Sequence, residues 1–323
     1  MRVFINGFGR IGRSVLRAWA KGAGPGIEIA GINDIAAPEM CAYLFEYDSV
    51  FGPWQGSVAL ADGALVVDGR AIPLHRTPDI STLDLSGVDL VMECTGRAEA
   101  REVAERGLRA GAGRILISGP SSAAEFTVVL GANEASLGDH RIVSNASCTT
   151  NALAPLARLI HAEWGIVTGW MTTIHCYTGS QPTVDAPAAD FARSRAAALS
   201  MVPTTTSAQR LLDRVLPDLA GRIEGAAVRV PTASVSAVDF TVLTEARPEI
   251  EAVNAAFRAA GGVIGATDRP LVSTDLRARP ESIVMACPET RTTAGGLLRV
   301  FGWYDNEWGF SNRMLDVARR MGG

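Results

Sequence analysis

Val3-Phe4-Ile5-Asn6-Gly7-Phe8-Gly9-Arg10-Ile11-Gly12 sets a short run of β-formers directly before glycines at the first, third and sixth positions of a turn. Gly7 permits a tight turn, Gly9 lets backbone approach a pyrophosphate, and Gly12 lets the next helix lie close to the strand. The helical stretch Arg13 to Lys21 leads to a second strand, Ile27-Glu28-Ile29-Ala30-Gly31-Ile32, which ends at Asn33-Asp34. Asp34 lies 22 residues beyond Gly12, close to the spacing of a carboxylate that hydrogen-bonds an adenosine ribose diol. Such a carboxylate repels a 2′-phosphate, so NAD is expected rather than NADP. A structural glycine cluster and a turn aspartate are the plain alternatives, and the strand–helix–strand context weighs against them.

The alternation continues through the first half of the chain. Val88 to Cys94 reads as a strand followed by Thr95-Gly96, Glu99 to Ala110 as a helix, and Arg114 to Ser118 as another strand. Thr127 to Gly131 and Arg141 to Ser144 add two more. Such a series predicts a mostly parallel sheet covered by helices, an N-terminal Rossmann domain over residues 1–147. Beyond it, Val228 to Pro231 and Ser234 to Val242 are β-branched and alternating, which predicts an α+β domain on a mostly antiparallel or mixed sheet over residues 148–308. Residues 177–205 form a long aperiodic segment, of the kind that binds a ligand or packs between subunits. Arg313 to Arg320 reads as a terminal helix.

Chemistry concentrates at the boundary. In Ser147-Cys148-Thr149-Thr150-Asn151 the thiol of Cys148 stands at the start of a helix, where free N–H groups and the peptide dipoles favour a thiolate. The matching base is His175, delivered by the buried strand Gly169 to Ile174 in a chain with 4 histidines. Strand alternation turns Cys176 away from that face, and Cys41, Cys94 and Cys287 read as small buried hydrophobes. His75, His140 and His161 stand singly, without metal-ligand spacing, so no metal is expected.

Composition bounds the remainder. With 323 residues and 47% hydrophobic content, the chain supports two domains with full cores. A formal net charge of −4 and a pI near 5.7 give no general attraction to nucleic acid or to anionic membranes. Five cysteines without paired spacing suit a reducing compartment. With no apolar stretch of membrane-spanning length and no basic leader, the expected location is the cytoplasm.

Several of these segments together resemble the glyceraldehyde-3-phosphate dehydrogenase family: Asn6 to Gly12, Ser144 to Asn151, Met171 to His175, Arg229-Val230-Pro231-Thr232 and Trp303 to Glu307. The resemblance covers essentially the whole chain. It implies a homotetramer whose C-terminal helix, 309–323, returns to the first domain, and a sugar phosphate and inorganic phosphate as substrates. It further implies that Cys148 attacks the aldehyde while His175 takes the hydroxyl proton as hydride leaves to NAD. The implied cofactor set is Gly7, Phe8, Gly9, Arg10, Ile11, Gly12, Asp34, Arg76, Thr95, Gly96, Ser118 and Asn306, the last holding the nicotinamide amide. For phosphate it implies Thr178, Arg195 and Arg229 with Ser147, Thr149, Thr206 and Ser207, hydroxyls and guanidinium groups suited to phosphate oxygens. Ser207 stands where the family commonly has glycine. Stretches from His140 to Ser144 and from Asn306 to Asp316 also resemble erythrose-4-phosphate dehydrogenase, which releases its acyl group to water. Two alternatives therefore stay open: oxidation of erythrose 4-phosphate with thioester hydrolysis, and a non-catalytic NAD-binding structural or regulatory protein.

Overall fold

Gly7 adopts φ +94° at the end of the first strand, and a Cβ there would stand 2.7 Å from the Cys94 carbonyl carbon. Only glycine fits that turn. In the computed structural model, which describes residues 1–322, β1 (Arg2–Asn6) leads through it into the helix Arg10–Ala20 and on to β2 (Glu28–Asn33). The other strands of this sheet are β3 (Val58–Ala61), β4 (Ala64–Val67), β5 (Arg70–His75), β6 (Leu90–Glu93), β7 (Arg114–Ile117), β8 (Phe126–Thr127) and β9 (Ile142–Ser144). Their order is β3-β4-β5-β2-β1-β6-β7-β9-β8. From β5 to β8 every pair is parallel, so Asn6, Asn33, Glu93 and Ser144 all end strands along one edge. That carboxyl edge is where an open parallel sheet binds its ligand.

The chain divides into two units. One holds Met1–Val128, Glu134–Ala146 and the chain from Ser311; the other holds Val129–Asn133 and Ser147–Phe310. The second unit carries β10 (Ile166–Cys176), β11 (Val202–Thr204), β12 (Ile223–Val230), β13 (Ser236–Thr244), β14 (Ile264–Thr267), β15 (Ile283–Ala286), β16 (Arg291–Thr292) and β17 (Leu297–Tyr304). Its sheet is mixed: β10 pairs with β12 in parallel and with β13 antiparallel.

Some elements differ from the sequence reading. Val128 N still donates to Ser144 O at 2.9 Å, but the chain then leaves the sheet in a turn where Val129 N donates to Asn133 Oδ1 at 2.8 Å, so the apolar side chains of Val129 and Leu130 fill core space. The segment from Glu99 resolves into two short helices, Arg101–Ala104 and Arg106–Arg109. The last helix starts early, at Trp308, because Asp305 Oδ1 accepts from Glu307 N and Trp308 N at 3.0 and 2.8 Å. The antiparallel strands β3 to β5 and the strands β14 to β16 were not anticipated.

Candidate active site

Ser147 caps the helix Cys148–Trp164: it is extended, at φ −108° and ψ 162°, and its Oγ accepts from Thr150 N at 3.1 Å. Cys148 is thus the first helical residue. The helix, 17 residues and so about 25 Å long, ends at Gly165 with φ +67°. The chain then runs directly back as the 11 residues of β10, which bring His175 to the helix start.

His175 Nε2 lies 3.6 Å from Cys148 Sγ, and Nδ1 lies 2.7 Å from the Cys176 carbonyl. A carbonyl oxygen only accepts, so the imidazole proton sits on Nδ1 and the Nε2 lone pair faces the thiol. Arg229 is the register partner of His175 across β10 and β12. Its Nη1 donates to the same carbonyl at 2.9 Å; the equal distance to Nδ1 is a charge lying beside the ring, since that nitrogen's proton is already directed at the carbonyl.

Burial governs both groups. It pushes the Cys148 thiol above its ordinary value, against smaller opposing pulls from the Arg229 charge and from hydrogen bonds with Thr149. The helix-start argument therefore has the right sign but is outweighed by desolvation in the free protein. Burial, and then Arg229, pull His175 down to about 4. At neutral pH a neutral thiol faces a neutral imidazole whose free lone pair can take the thiol proton.

A cavity of about 630 Å³ opens over this pair. Ser147, Thr149, Thr206, Ser207 and Arg229 line it, as do Arg193, Thr205, Gln209 and Arg210, which the sequence reading did not include. Thr149 Oγ1 and Thr173 Oγ1 lie 2.9 and 2.8 Å from the hydroxyl of the buried Tyr304, whose ring meets His175 edge-on. Ser207 has ordinary helical angles, φ −80° and ψ −7°, so its backbone does not require glycine. Thr206 Oγ1 accepts from Ala208 N at 3.1 Å, while Ser207 makes no cap hydrogen bond.

Thr178 and Arg195 are not among the residues brought together at this cavity. Thr178 Oγ1 bonds Ser180 Oγ at 3.0 Å, and Arg195 pairs with Asp185 at 2.8 Å in an exposed bridge. The 3₁₀ turn Ala192–Ser194 separates neighbouring side chains by about 120°, so residues two apart diverge. Arg193 is the one aimed at the cavity, donating to Thr204 Oγ1 and Thr205 Oγ1 at 2.6 and 3.2 Å. Cys176 is fully buried, its thiol pushed up to about 12, and Sγ donates to Asn306 Oδ1 at 3.0 Å.

The first unit has its own cavity, about 220 Å³, at the carboxyl ends of its strands. Gly7, Gly9, Asp34 and Thr95 line it, joined by Asn6, Asn33, Thr77, Arg97 and Arg106. A Cβ on Gly9 would project into open space, the cradle that an approaching pyrophosphate needs. Asp34 Oδ2 accepts from Phe8 N at 2.6 Å and Oδ1 from Ala36 N at 2.9 Å, which ties the second strand's end to the glycine turn. A Cβ on Gly12 would strike the Gly7 carbonyl oxygen at 2.1 Å. Eight of the twelve expected cofactor residues, Gly12 and Asn306 among them, stand outside the lining set. Phe8 is buried and stacked on Phe45, Arg10 is paired with Asp48, and Arg76 Nε donates to Ile35 O at 3.1 Å. Ser118 N donates to Glu93 O at 3.0 Å, Ile11 lies in the first helix and Gly96 is in a turn at φ +72°.

Comparison with known proteins decides the family. The pattern described as glyceraldehyde 3-phosphate dehydrogenase, NAD binding domain, matches residues 1–101, and that of the C-terminal domain matches residues 147–306. A glyceraldehyde-3-phosphate dehydrogenase of Cereibacter sphaeroides is 46% identical across 100% of this chain and 98% of its own length. The chain belongs to the glyceraldehyde-3-phosphate dehydrogenase family. A relative of that name from Zymomonas mobilis is 44% identical over 99% of this chain and 98% of its own, and one from Geobacillus stearothermophilus 42% over 98% and 97%. As a family member the chain is an NAD-dependent dehydrogenase, with a Rossmann-like cofactor domain and a mixed-sheet catalytic domain. Family membership also implies a sugar-phosphate substrate. No helix among the described residues is long and apolar enough to cross a membrane.

Proposed function

We propose that the chain catalyses the NAD-dependent, phosphorylating oxidation of glyceraldehyde 3-phosphate to 1,3-bisphosphoglycerate. The observation that carries this is the Cys148–His175 pair, 3.6 Å apart with the Nε2 lone pair facing the thiol, under a cavity supplied with Arg193, Arg210 and Arg229. Cys148 gives its proton to His175 and attacks the aldehyde carbon, and His175 passes that proton to the carbonyl oxygen, forming a tetrahedral thiohemiacetal and freeing Nε2 again. His175 then accepts the hydroxyl proton as the carbon–hydrogen bond breaks with its electron pair, leaving a thioester on Cys148. Bound NAD supplies the hydride acceptor. Inorganic phosphate attacks the thioester and Cys148 departs as thiolate. Arginines and hydroxyls in the cavity neutralise and orient the substrate phosphate and the attacking ion. Arg229 serves twice, as an anion partner and as the charge that draws the thiol toward ionisation.

Cofactor binding is assigned to residues 1–147 with the C-terminal helix, and catalysis to 148–308. Assembly is assigned as a homotetramer, supported by Val184, Phe191, Leu199 and Met201, large apolar side chains left mostly exposed on the segment 177–205. A cytoplasmic location is supported by five free cysteines. The deciding measurement is steady-state NADH formation from glyceraldehyde 3-phosphate and from erythrose 4-phosphate, with and without phosphate, and with arsenate as a second acceptor. Strong acceptor dependence with the three-carbon sugar is expected, together with loss of the NADH burst in Cys148→Ser. Efficient phosphate-independent oxidation of the four-carbon sugar would replace acyl phosphate formation with hydrolysis.

A further inference from the structure

Behind the cofactor cavity runs a chain of polar side chains that joins the ends of three strands. Asn33 pairs with the backbone of Thr77, its Oδ1 accepting from Thr77 N at 2.9 Å and its Nδ2 donating to Thr77 O at 3.0 Å. Those two backbone groups fix the orientation of the Asn33 amide, so Nδ2 is also the atom that donates to Asn6 Oδ1, at 2.8 Å. Asn6 must then present Nδ2 to its other neighbour. That neighbour is Glu93 Oε2, at 2.5 Å. The second carboxyl oxygen, Oε1, accepts from Thr95 N at 2.9 Å and from Thr95 Oγ1.

Every partner of Glu93 in this chain is therefore a donor, and both its oxygens must accept. An ionised carboxylate meets that demand; a glutamine, with one acceptor and one donor at the same positions, leaves either Asn6 or Thr95 facing an N–H. Asn6 and Thr95 line the cavity, whereas Glu93 is 2% exposed and does not. We propose that Glu93 is a positioning residue of the cofactor site, an obligate acceptor that holds Thr95 and Asn6 in the geometry that NAD meets. Burial pushes its carboxyl above the usual range, and the hydrogen bonds donated by Thr95 and Asn6 oppose this in part.

The proposal rests on reading this cavity as the dinucleotide site. NAD is titrated calorimetrically into the cofactor-free enzyme and into Glu93→Gln, Thr95→Val and the double variant. Binding by the unaltered protein tests the reading of the cavity, and the variants test Glu93. Glu93→Gln is expected to weaken NAD about tenfold, the equivalent of one frustrated buried donor at about 1.4 kcal/mol. KM for NAD should rise by a similar factor while kcat changes less than twofold. Thr95→Val, nearly isosteric, should weaken NAD comparably, and the double variant should bind no worse than the weaker single one, the signature of residues acting together. Unchanged NAD affinity in Glu93→Gln with only a lowered unfolding temperature, additive losses in the double variant, or unaltered affinity in Thr95→Val would each overturn the proposal.

Discussion

At the scale of single residues, the central pair depends on two displaced titrations. With Cys148 above its ordinary value near 9 and His175 down at about 4, no thiolate–imidazolium pair is stored in the free protein at neutral pH. The rate of iodoacetamide alkylation of Cys148 in cofactor-free protein should therefore still be climbing above pH 8, since the thiolate is the reacting form. Arg229→Ala removes the charge that draws the thiol down and should slow alkylation further at pH 8. A rate already at its plateau by pH 7 would show that the helix start dominates burial after all.

At the scale of elements, the glycine turn and the strand after it carry the cofactor geometry. Gly12→Ala sets a methyl group 2.1 Å from the Gly7 carbonyl oxygen, and something must shift. A loss of roughly 1–3 kcal/mol in unfolding free energy is expected, with much weakened NAD binding, both read by thermal unfolding with and without NAD. Asp34→Ser should narrow the preference for NAD over NADP, most clearly at low salt, in paired KM measurements. It also removes the acceptor of Phe8 N, so some affinity for both cofactors should be lost. These elements were legible because glycine spacing and the alternation of strand and helix are local signals. Strands β3 to β5 were not: Val58–Ala61 is largely exposed and short, with no hydrophobic face to announce it. Cys148 and His175 could be read from a helix start and a strand end. The choice of Arg193 over Arg195 could not, because it depends on the phase of one 3₁₀ turn in an aperiodic segment. Glu93 was also out of reach, since its partner Asn6 is 87 residues away and only strand pairing sets the two side by side.

At the scale of the whole molecule, buried titratable groups shape stability from both sides of neutrality. His175 binds its proton near 4 when folded and near 6.5 when unfolded, so the unfolded chain is protonated first as pH falls. Stability should decline between about pH 6.5 and 4, and His175→Asn should flatten that decline. Cys176 holds its proton to about 12 when folded against 9 when unfolded, so the unfolded chain loses its proton first as pH rises. Stability should fall from about pH 9 upward, less steeply in Cys176→Ala. Urea midpoints measured across this range check both arms; a flat profile in the unaltered protein would contradict the directions given.

The carbonyl that orients His175 belongs to the main chain of Cys176, and it also receives Arg229. Enzymes that direct a histidine with an aspartate can lose that function by a single codon change, since the carboxylate is a side chain. Here the acceptor is present whatever amino acid position 176 encodes, provided the strand keeps its pairing. The tautomer that makes His175 a base is thereby insulated from point mutation at its own anchor, and what constrains the side chain at position 176 is packing and the thiol's hydrogen bond to Asn306 Oδ1.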